Sequence, residues 1–163
     1  MQLPIQDLTP QAFAPFGKII EQPARDQDAQ GPGWRWWGEN ALLESSDRPY
    51  QIGYLDLAPS ELKFDWAERH TRSAELIIPT GGDCLVCVGP PEAPDEPDRL
   101  PPLERFQVFR VRQGQAVLLD KGVWHGAPLA VDAPLNAIVL LLSGTGDVDL
   151  SLVRFTETPV MIL

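Results

Sequence analysis

Short hydrophobic stretches, some of which alternate with polar residues, run along most of the chain, and they predict β-strands. Successive side chains of a strand point to opposite faces, so alternation of this kind gives one buried and one exposed face. The stretches lie at residues 18–21, 51–57, 62–70, 76–78, 85–88, 106–112, 116–119, 135–142 and 150–155. About nine short strands separated by frequent turns are typical of an all-β barrel or sandwich.

Helical structure is predicted only near the start of the chain. Thr9 suits an N-cap and Pro10 suits the first helical position, while Pro15 and Gly17 end the helix within about two turns. The 163 residues include 17 prolines and 13 glycines, which disfavours longer helices. This length fits one domain with a core of its own, so we expect a single domain over residues 1–163.

Two segments between the strands have unusual compositions. Residues 89–102 hold six prolines and four acidic residues. They predict an exposed loop over about residues 89–104, which is either an inert connection or a flap. Residues 34–37 contain three tryptophans. These side chains cannot all share one strand face, so we expect core and rim packing, with at least one ring at a rim, an interface or a pocket mouth.

The charge of the chain limits its partners. The net charge is −10 and the sequence pI is about 4.5, which makes nucleic acid and anionic membrane surfaces poor partners. No apolar run approaches the ~20 residues that cross a bilayer. Residues 1–7 also lack the basic start and apolar stretch of a signal peptide. We therefore expect a cytoplasmic protein.

Cys84 and Cys87 have the C-x-x-C spacing of redox and zinc sites. They lie in a predicted strand, however, where residues three apart point to opposite faces. The two thiols then cannot share a metal ion or form a disulfide. We expect them to be ordinary buried side chains.

The stretch 62–70 carries the first candidate functional residues. Apolar residues at positions 62, 64 and 66 alternate with polar ones, and the same parity continues through Glu68 and His70. A strand here would place a carboxylate and an imidazole on its inward face and turn Arg69 outward. A helix is the alternative, because positions 62, 66 and 70 are four apart, but it does not explain Phe64.

The two histidines of the chain stand in patterned surroundings. His70 lies in E-x-H-x4-E at residues 68–75, and His125 lies in G-x5-D-x-G-x2-H at residues 114–125. These patterns resemble the two cupin motifs, H-x-H-x3–4-E-x6-G and G-x5-P-x-G-x2-H. Glu68 replaces the first histidine and Asp120 replaces the proline. The resemblance implies an all-β, cupin-like double-stranded β-helix barrel with short peripheral helices.

Glu68, His70, Glu75 and His125 form a candidate metal site. Residues i and i+2 of one strand point to the same side, and the other half of the barrel supplies the fourth residue. Two imidazoles and two carboxylates suit a divalent metal such as Ni, Mn, Zn or Fe, and a buried carboxylate needs a partner. The alternative is that the histidines are hydrogen-bonded core residues and the carboxylates pair with arginines.

A narrower resemblance is to the ureidoglycolate lyases, cupin-fold enzymes of allantoin breakdown. It covers most of residues 3–145 and is carried by LTPQAFAPFG at residues 8–17, ERH at 68–70 and GVWH at 122–125. The chain departs from the family at residues 36–39 and 119–120, where polar family residues are missing. It also departs at Glu75, where the family often has Gln. These departures leave the exact substrate open, but they do not change the predicted fold.

The resemblance implies that the protein releases glyoxylate and urea from ureidoglycolate, a small anionic substrate. Glu68, His70 and His125 would be catalytic, and the same three residues together with Glu75 would hold the metal. The family also tends to form homodimers, so we expect a homodimer here.

The substrate carboxylate needs a counter-charge, and Lys121 and Arg72 are the candidates to bind it. Trp124 would either line the pocket or pack in the core. Two other functions stay open at this point. One is a metal-dependent cupin enzyme that acts on another small hydroxy- or keto-acid, and the other is a non-enzymatic cupin that binds a small ligand.

Overall fold

Seventeen short strands and two four-residue helices form in the part of the chain that the computed structural model describes, residues 1–44, 46 and 48–163. The helices are α1 (Pro10–Phe13) and α2 (Thr145–Val148). The strands up to the Pro-rich loop are β1 (Gln2–Leu3), β2 (Ile5–Asp7), β3 (Gly17–Ile20), β4 (Ala29–Gly31), β5 (Trp34–Trp36), β6 (Tyr50–Leu57), β7 (Lys63–Phe64), β8 (Trp66–Arg69), β9 (Glu75–Thr80) and β10 (Cys84–Gly89). The strands after it are β11 (Gln107–Val111), β12 (Ala116–Leu119), β13 (Trp124–His125), β14 (Leu129–Ala130), β15 (Leu135–Leu142), β16 (Ser151–Arg154) and β17 (Val160–Ile162).

Two large sheets hold most of these strands, which confirms the all-β, cupin-like prediction. One sheet has the order β16-β8-β13-β10-β11-β2, with β14 also paired to β10, and the other has the order β3-β12-β9-β15-β6. Their hydrogen bonding does not run from one sheet into the other, so the barrel is open rather than closed. No helix in the described ranges is long and apolar enough to span a bilayer.

The predicted helix near the start of the chain is confirmed. Thr9 caps α1, because its Oγ1 accepts a hydrogen bond from Ala12 N at 3.2 Å, and Pro10 occupies the first helical position. The helix places Phe13 in the inner core, where it stacks edge-on against Phe109 with ring centroids 5.3 Å apart. The N-terminal segment thus closes one end of the space between the sheets.

The core divides into two clusters, one on each side of the seven-stranded sheet. The inner cluster lies between the two large sheets and includes Cys84 and Val86 of β10 with Ile77 of β9. The outer cluster lies under the small sheet β1-β17-β7 and includes Cys87 and Trp124. Cys84 and Cys87 are thus buried on opposite faces of β10, as the alternation predicts. Burial raises the pKa of the Cys84 thiol to about 12, with a smaller contribution from Asp83.

The stretch 62–70 is strand rather than helix, but its parity changes midway. Asp65 separates β7 from β8, so Phe64 packs in the outer cluster beside Ala67. The prediction that Phe64 shares a face with Glu68 is therefore wrong. From residue 66 onward the alternation holds, because Ala67 faces the outer cluster while Glu68 lines an inner cavity.

The three tryptophans at residues 34–37 belong to a small hairpin formed by β4 and β5. Trp34 and Trp36 are 54% and 60% exposed. The expected core packing is therefore wrong for these two rings, although at least one ring does lie at the surface as expected. Arg35 lies over the ring of Trp37 at 5.1 Å, and Trp37 Nε1 donates to the main-chain oxygen of Arg25 at 3.0 Å. The hairpin is thus held by its own side chains.

Arg69 points away from the inner cavity, as predicted, but it is buried rather than exposed, because the Pro-rich loop covers it. Its guanidinium donates to the main-chain oxygens of Glu92, Ala93 and Glu96 at 2.6, 2.9 and 2.8 Å. It also lies over the ring of Trp124, 4.7 Å from its centroid. One side chain therefore fastens the loop to strands β8 and β13.

We predict that Arg69→Met lowers the free energy of unfolding by about 2–4 kcal/mol, because it leaves three loop carbonyls without their donor and removes the stacking on Trp124. Urea denaturation followed by tryptophan fluorescence measures this change. Arg99→Met is the matched control, since exposed Glu96 is the one acidic partner of Arg99 among the described residues. Equal stability of the two variants would show that Arg69 does not hold the loop.

Candidate functional site

Four ionisable side chains from three strands and one turn meet inside the molecule. Glu68 lies on β8, His70 follows that strand directly, and His125 ends β13, which pairs with β8 so that His125 lies opposite Glu68. Glu75 begins β9 of the other large sheet. The cluster therefore sits where the two sheets approach each other. The predicted convergence of two distant sequence patterns is what the structure shows.

The distances within this cluster are short. Glu75 Oε2 lies 3.3 Å from His70 Nε2 and 3.4 Å from His125 Nε2. Glu68 Oε1 lies 4.0 Å from His125 Nε2, and the two imidazole rings are 5.3 Å apart between centroids. Glu75 thus lies between the two imidazoles, and Glu68 stands to one side.

The outer nitrogen of each imidazole is fixed by a main-chain carbonyl. His70 Nδ1 lies 3.0 Å from Asp149 O, and His125 Nδ1 lies 3.0 Å from Val123 O. A carbonyl oxygen only accepts, so each Nδ1 carries a hydrogen and each Nε2 faces Glu75. An unprotonated Nε2 would repel a carboxylate oxygen at this distance. A cation, either a proton or a metal ion, is therefore required between them.

The pKa values of Glu75 and His125 also show that the buried carboxylate needs a positive charge beside it. Burial by itself would raise the pKa of Glu75, but the charge of His125 and the close approach of both Nε2 atoms hold that pKa well below its usual range. Burial would likewise lower the pKa of His125, but the Glu75 carboxylate outweighs it and raises the pKa to about 9. Glu75 is thus ionised at neutral pH, and His125 carries the positive charge that compensates it.

The residues present fit a divalent metal ion. Glu68, His70 and His125 can each place one ligand atom within 4.8 Å of the others, and His125 Nε2 is buried without a hydrogen-bond partner among the described residues. Imidazole nitrogens and carboxylate oxygens are the usual ligands of first-row divalent metals. Metal-binding histidines also typically donate their second ring nitrogen to a carbonyl, as both do here.

The cluster lies at the side of a cavity of about 290 Å³. Glu68, His70 and Glu75 contribute the charged part of its wall, and the remainder is mostly small and apolar. Neither lysine nor arginine is among the described residues that line it. The Glu68 side chain is 24% exposed, against 11% for Glu75 and 3% for His125. Glu68 is therefore the carboxylate that a molecule in the cavity meets most readily.

The residues predicted to bind the substrate lie elsewhere. Lys121 and Arg72 line a separate depression of about 490 Å³, which contains none of the four cluster residues. Lys121 forms an ion pair there with Glu44. Trp124 is fully buried in the outer cluster, on the face of β13 away from the cavity. For Trp124 the core-packing alternative is the one that the structure supports.

Asp149 is a residue of this region that the sequence patterns do not reveal. Its carbonyl meets His70 Nδ1, and its carboxylate accepts hydrogen bonds from Thr71 and Arg72. It stands 77–79 residues away from these partners, and no spacing rule connects the two segments. Only the folded arrangement brings them together.

Comparisons with known proteins identify the family of this chain. The sequence model of the family "Ureidoglycolate lyase" matches residues 1–162. A ureidoglycolate lyase of Azotobacter vinelandii is 31% identical over 150 residues, covering 88% of this chain and 87% of that protein. A ureidoglycolate lyase of Pseudomonas paraeruginosa is 32% identical over 152 residues, covering 89% of this chain and 86% of that protein.

Among solved structures, a 3,4-ketoisomerase from Helicobacter canadensis is similar at a TM-score of 0.49 and 14% identity, covering 86% of this chain and 91% of that chain. The family match is far more extensive, because it spans nearly every residue. Together with relatives that are more than 30% identical over most of both chains, it shows that this chain belongs to the ureidoglycolate lyase family.

Proposed function

We propose that this protein cleaves ureidoglycolate into glyoxylate and urea. Membership of the family supports the activity, and relatives that cover most of the chain are named ureidoglycolate lyases. The observation that carries the proposal is the convergence of Glu68, His70, Glu75 and His125, the first three of which line one small cavity. That arrangement provides both a cation site and a carboxylate able to transfer a proton.

The reaction is the breakdown of a carbinolamine and needs one proton to move. The hydroxyl group of the substrate loses its proton, the oxygen forms a carbonyl, and the bond from carbon to the urea nitrogen breaks. The nitrogen takes up a proton, and urea leaves. No oxidant or water is consumed, so a single group that accepts the proton from oxygen and returns it to nitrogen is sufficient.

Glu68 is the residue best suited to carry that proton. It is the most exposed carboxylate of the cluster and lines the cavity, so a bound substrate can reach it. Glu75 is unsuited to the task, because its pKa is held well below the usual range and it stays ionised. A positioned acid or base of this type contributes about 10²–10⁴-fold to a rate.

His70, Glu75 and His125 are proposed as the metal ligands. Their Nε2 and Oε2 atoms already lie 3.3–3.4 Å apart, with both Nδ1 atoms directed at carbonyls. A divalent metal bound here would supply Lewis acidity, which lowers the pKa of the substrate hydroxyl. Without the metal, the raised pKa of His125 keeps a proton on that imidazole instead.

The cavity suits a small anionic substrate, provided that a positive group balances the charge of the substrate carboxylate. Its volume of about 290 Å³ suits a molecule the size of ureidoglycolate. Lys121 and Arg72 line another depression, so we assign the counter-charge for the substrate carboxylate to the cation of the cluster. The small, apolar remainder of the wall excludes water and strengthens that attraction.

The family match favours the lyase over the two alternatives, an enzyme for another small hydroxy- or keto-acid and a non-enzymatic binding protein. The expected homodimer and cytoplasmic location, like the identity of the metal, stay predictions.

We expect the protein, supplied with a panel of divalent metals, to convert racemic ureidoglycolate to equimolar glyoxylate and urea. Turnover should exceed that of His125→Ala by at least about 100-fold, because this substitution removes a ligand from the reacting centre. Glyoxylate is followed by its hydrazone and urea by a coupled assay. Equal rates for the two proteins would remove the lyase assignment, and oxygen uptake with Fe(II) would indicate a dioxygenase.

The roles of the two carboxylates can be separated with matched variants. Glu68→Gln should lower kcat by about 10²–10⁴-fold while the Zn²⁺ affinity stays within a few-fold of wild type, because it removes the proton carrier. Glu75→Gln should weaken Zn²⁺ binding by about 10–100-fold or more, because it removes a ligand. Steady-state kinetics and isothermal titration calorimetry measure the two effects. Greater loss of Zn²⁺ affinity in Glu68→Gln than in Glu75→Gln would reverse the assignment.

A further inference from the structure

Asp149 makes an unusual concentration of hydrogen bonds to the segment that begins at His70. Its carboxylate accepts from Thr71 N and Thr71 Oγ1, both at 2.9 Å, and from Arg72 N at 2.8 Å. Its main-chain oxygen lies 3.0 Å from His70 Nδ1. One residue thus contacts three consecutive residues through both its side chain and its backbone.

The segment held in this way joins two members of the cluster. Residues 71–74 connect His70 at the end of β8 to Glu75 at the start of β9, so their conformation sets the spacing of those two side chains. Hydrogen bonds from main-chain amides to an ionised carboxylate are stronger than ordinary ones. The other end of the segment is tied as well, because Leu142 N donates to Ser73 Oγ at 2.9 Å.

The carbonyl of Asp149 also determines which nitrogen of His70 is free. Because this oxygen can only accept, it retains the hydrogen on Nδ1 and leaves Nε2 directed at Glu75 Oε2, 3.3 Å away. A metal ligand needs an unprotonated nitrogen facing the ion, which is Nε2 in this tautomer. The carboxylate of Asp149 anchors the carbonyl in position, since both belong to the same residue.

We propose that Asp149 is a positioning residue that fixes the tautomer and orientation of His70 and the spacing between His70 and Glu75. The neighbouring Gly146 and Leu150 line the cavity, so the anchored segment also forms part of the wall that faces the substrate. The proposal rests on the proposed metal centre but does not depend on which substrate the enzyme cleaves.

The Zn²⁺-saturated protein offers a direct spectroscopic test, because the chain contains only two histidines. A long-range ¹H–¹⁵N correlation spectrum distinguishes an imidazole that carries its hydrogen on Nδ1 and leaves Nε2 to the ion from one with the opposite arrangement. Wild type should show a single Nδ1–H tautomer for His70, and Asp149→Asn should show a mixture. Asp147→Asn is the control, since Asp147 is an exposed acidic residue of α2 that makes no side-chain hydrogen bond or ion pair in the described structure.

The second readout is the affinity for Zn²⁺ alone, measured by calorimetry on the same proteins. Asp149→Asn should bind Zn²⁺ about 10–100-fold more weakly than wild type, the usual cost of removing a residue that orients a metal ligand. Asp147→Asn should equal wild type. Circular dichroism checks that each variant is folded.

Thr71→Val keeps the proposal testable if Asp149→Asn does not fold, because it removes one hydrogen bond to the carboxylate and preserves side-chain volume. Its Zn²⁺ affinity should fall on the order of five-fold, the effect of one hydrogen bond. Wild-type Zn²⁺ affinity and a single His70 tautomer in the folded variants would overturn the proposal. A protein inactive toward ureidoglycolate would contradict the proposed function, yet these two readouts would still decide the role of Asp149.

Discussion

The arrangement of this protein depends on a carboxylate buried between two imidazoles. Glu75 lies within 3.4 Å of both His70 Nε2 and His125 Nε2, and such a group is costly to bury without a positive partner. Because each Nδ1 is already committed to a carbonyl, the compensating charge has to lie at the centre of the cluster. That position is where a metal ion would be bound, beside the cavity that Glu68, His70 and Glu75 line.

The fold supplies this centre by joining parts of the chain that are far apart in sequence. The pairing of β8 with β13 sets Glu68 opposite His125, and β9 brings Glu75 from the facing sheet. On the outer side of the seven-stranded sheet, Arg69 ties the Pro-rich loop to Trp124. Arg69, which lies between Glu68 and His70 in sequence, thus stabilises the outer side of the sheet, while the cluster faces the cavity on the inner side.

The hydrophobic pattern predicted the longer strands, and the motif spacing predicted that the four cluster residues meet, because both are local properties of a chain. Most strands of two or three residues were missed, since such short segments carry too little pattern. The pattern failed at Phe64, where a one-residue break in the strand reversed the parity. It also misjudged the exposure of Arg69 and did not place Lys121 and Arg72 in their separate depression. The burial of Arg69 under the Pro-rich loop and the contacts of Asp149 depend on segments that meet only in the folded protein. No periodicity in the sequence predicts them.

We infer that one divalent metal ion binds at the point where these side chains meet. Equilibrium dialysis of the freshly purified protein against Zn²⁺, followed by metal analysis, tests it most directly when His70→Ala and His125→Ala are dialysed in parallel. We expect about one equivalent per chain for the wild-type protein and little in either variant, since each removes a ligand. A wild-type protein that stays metal-free, or variants that keep a full equivalent, would contradict the account.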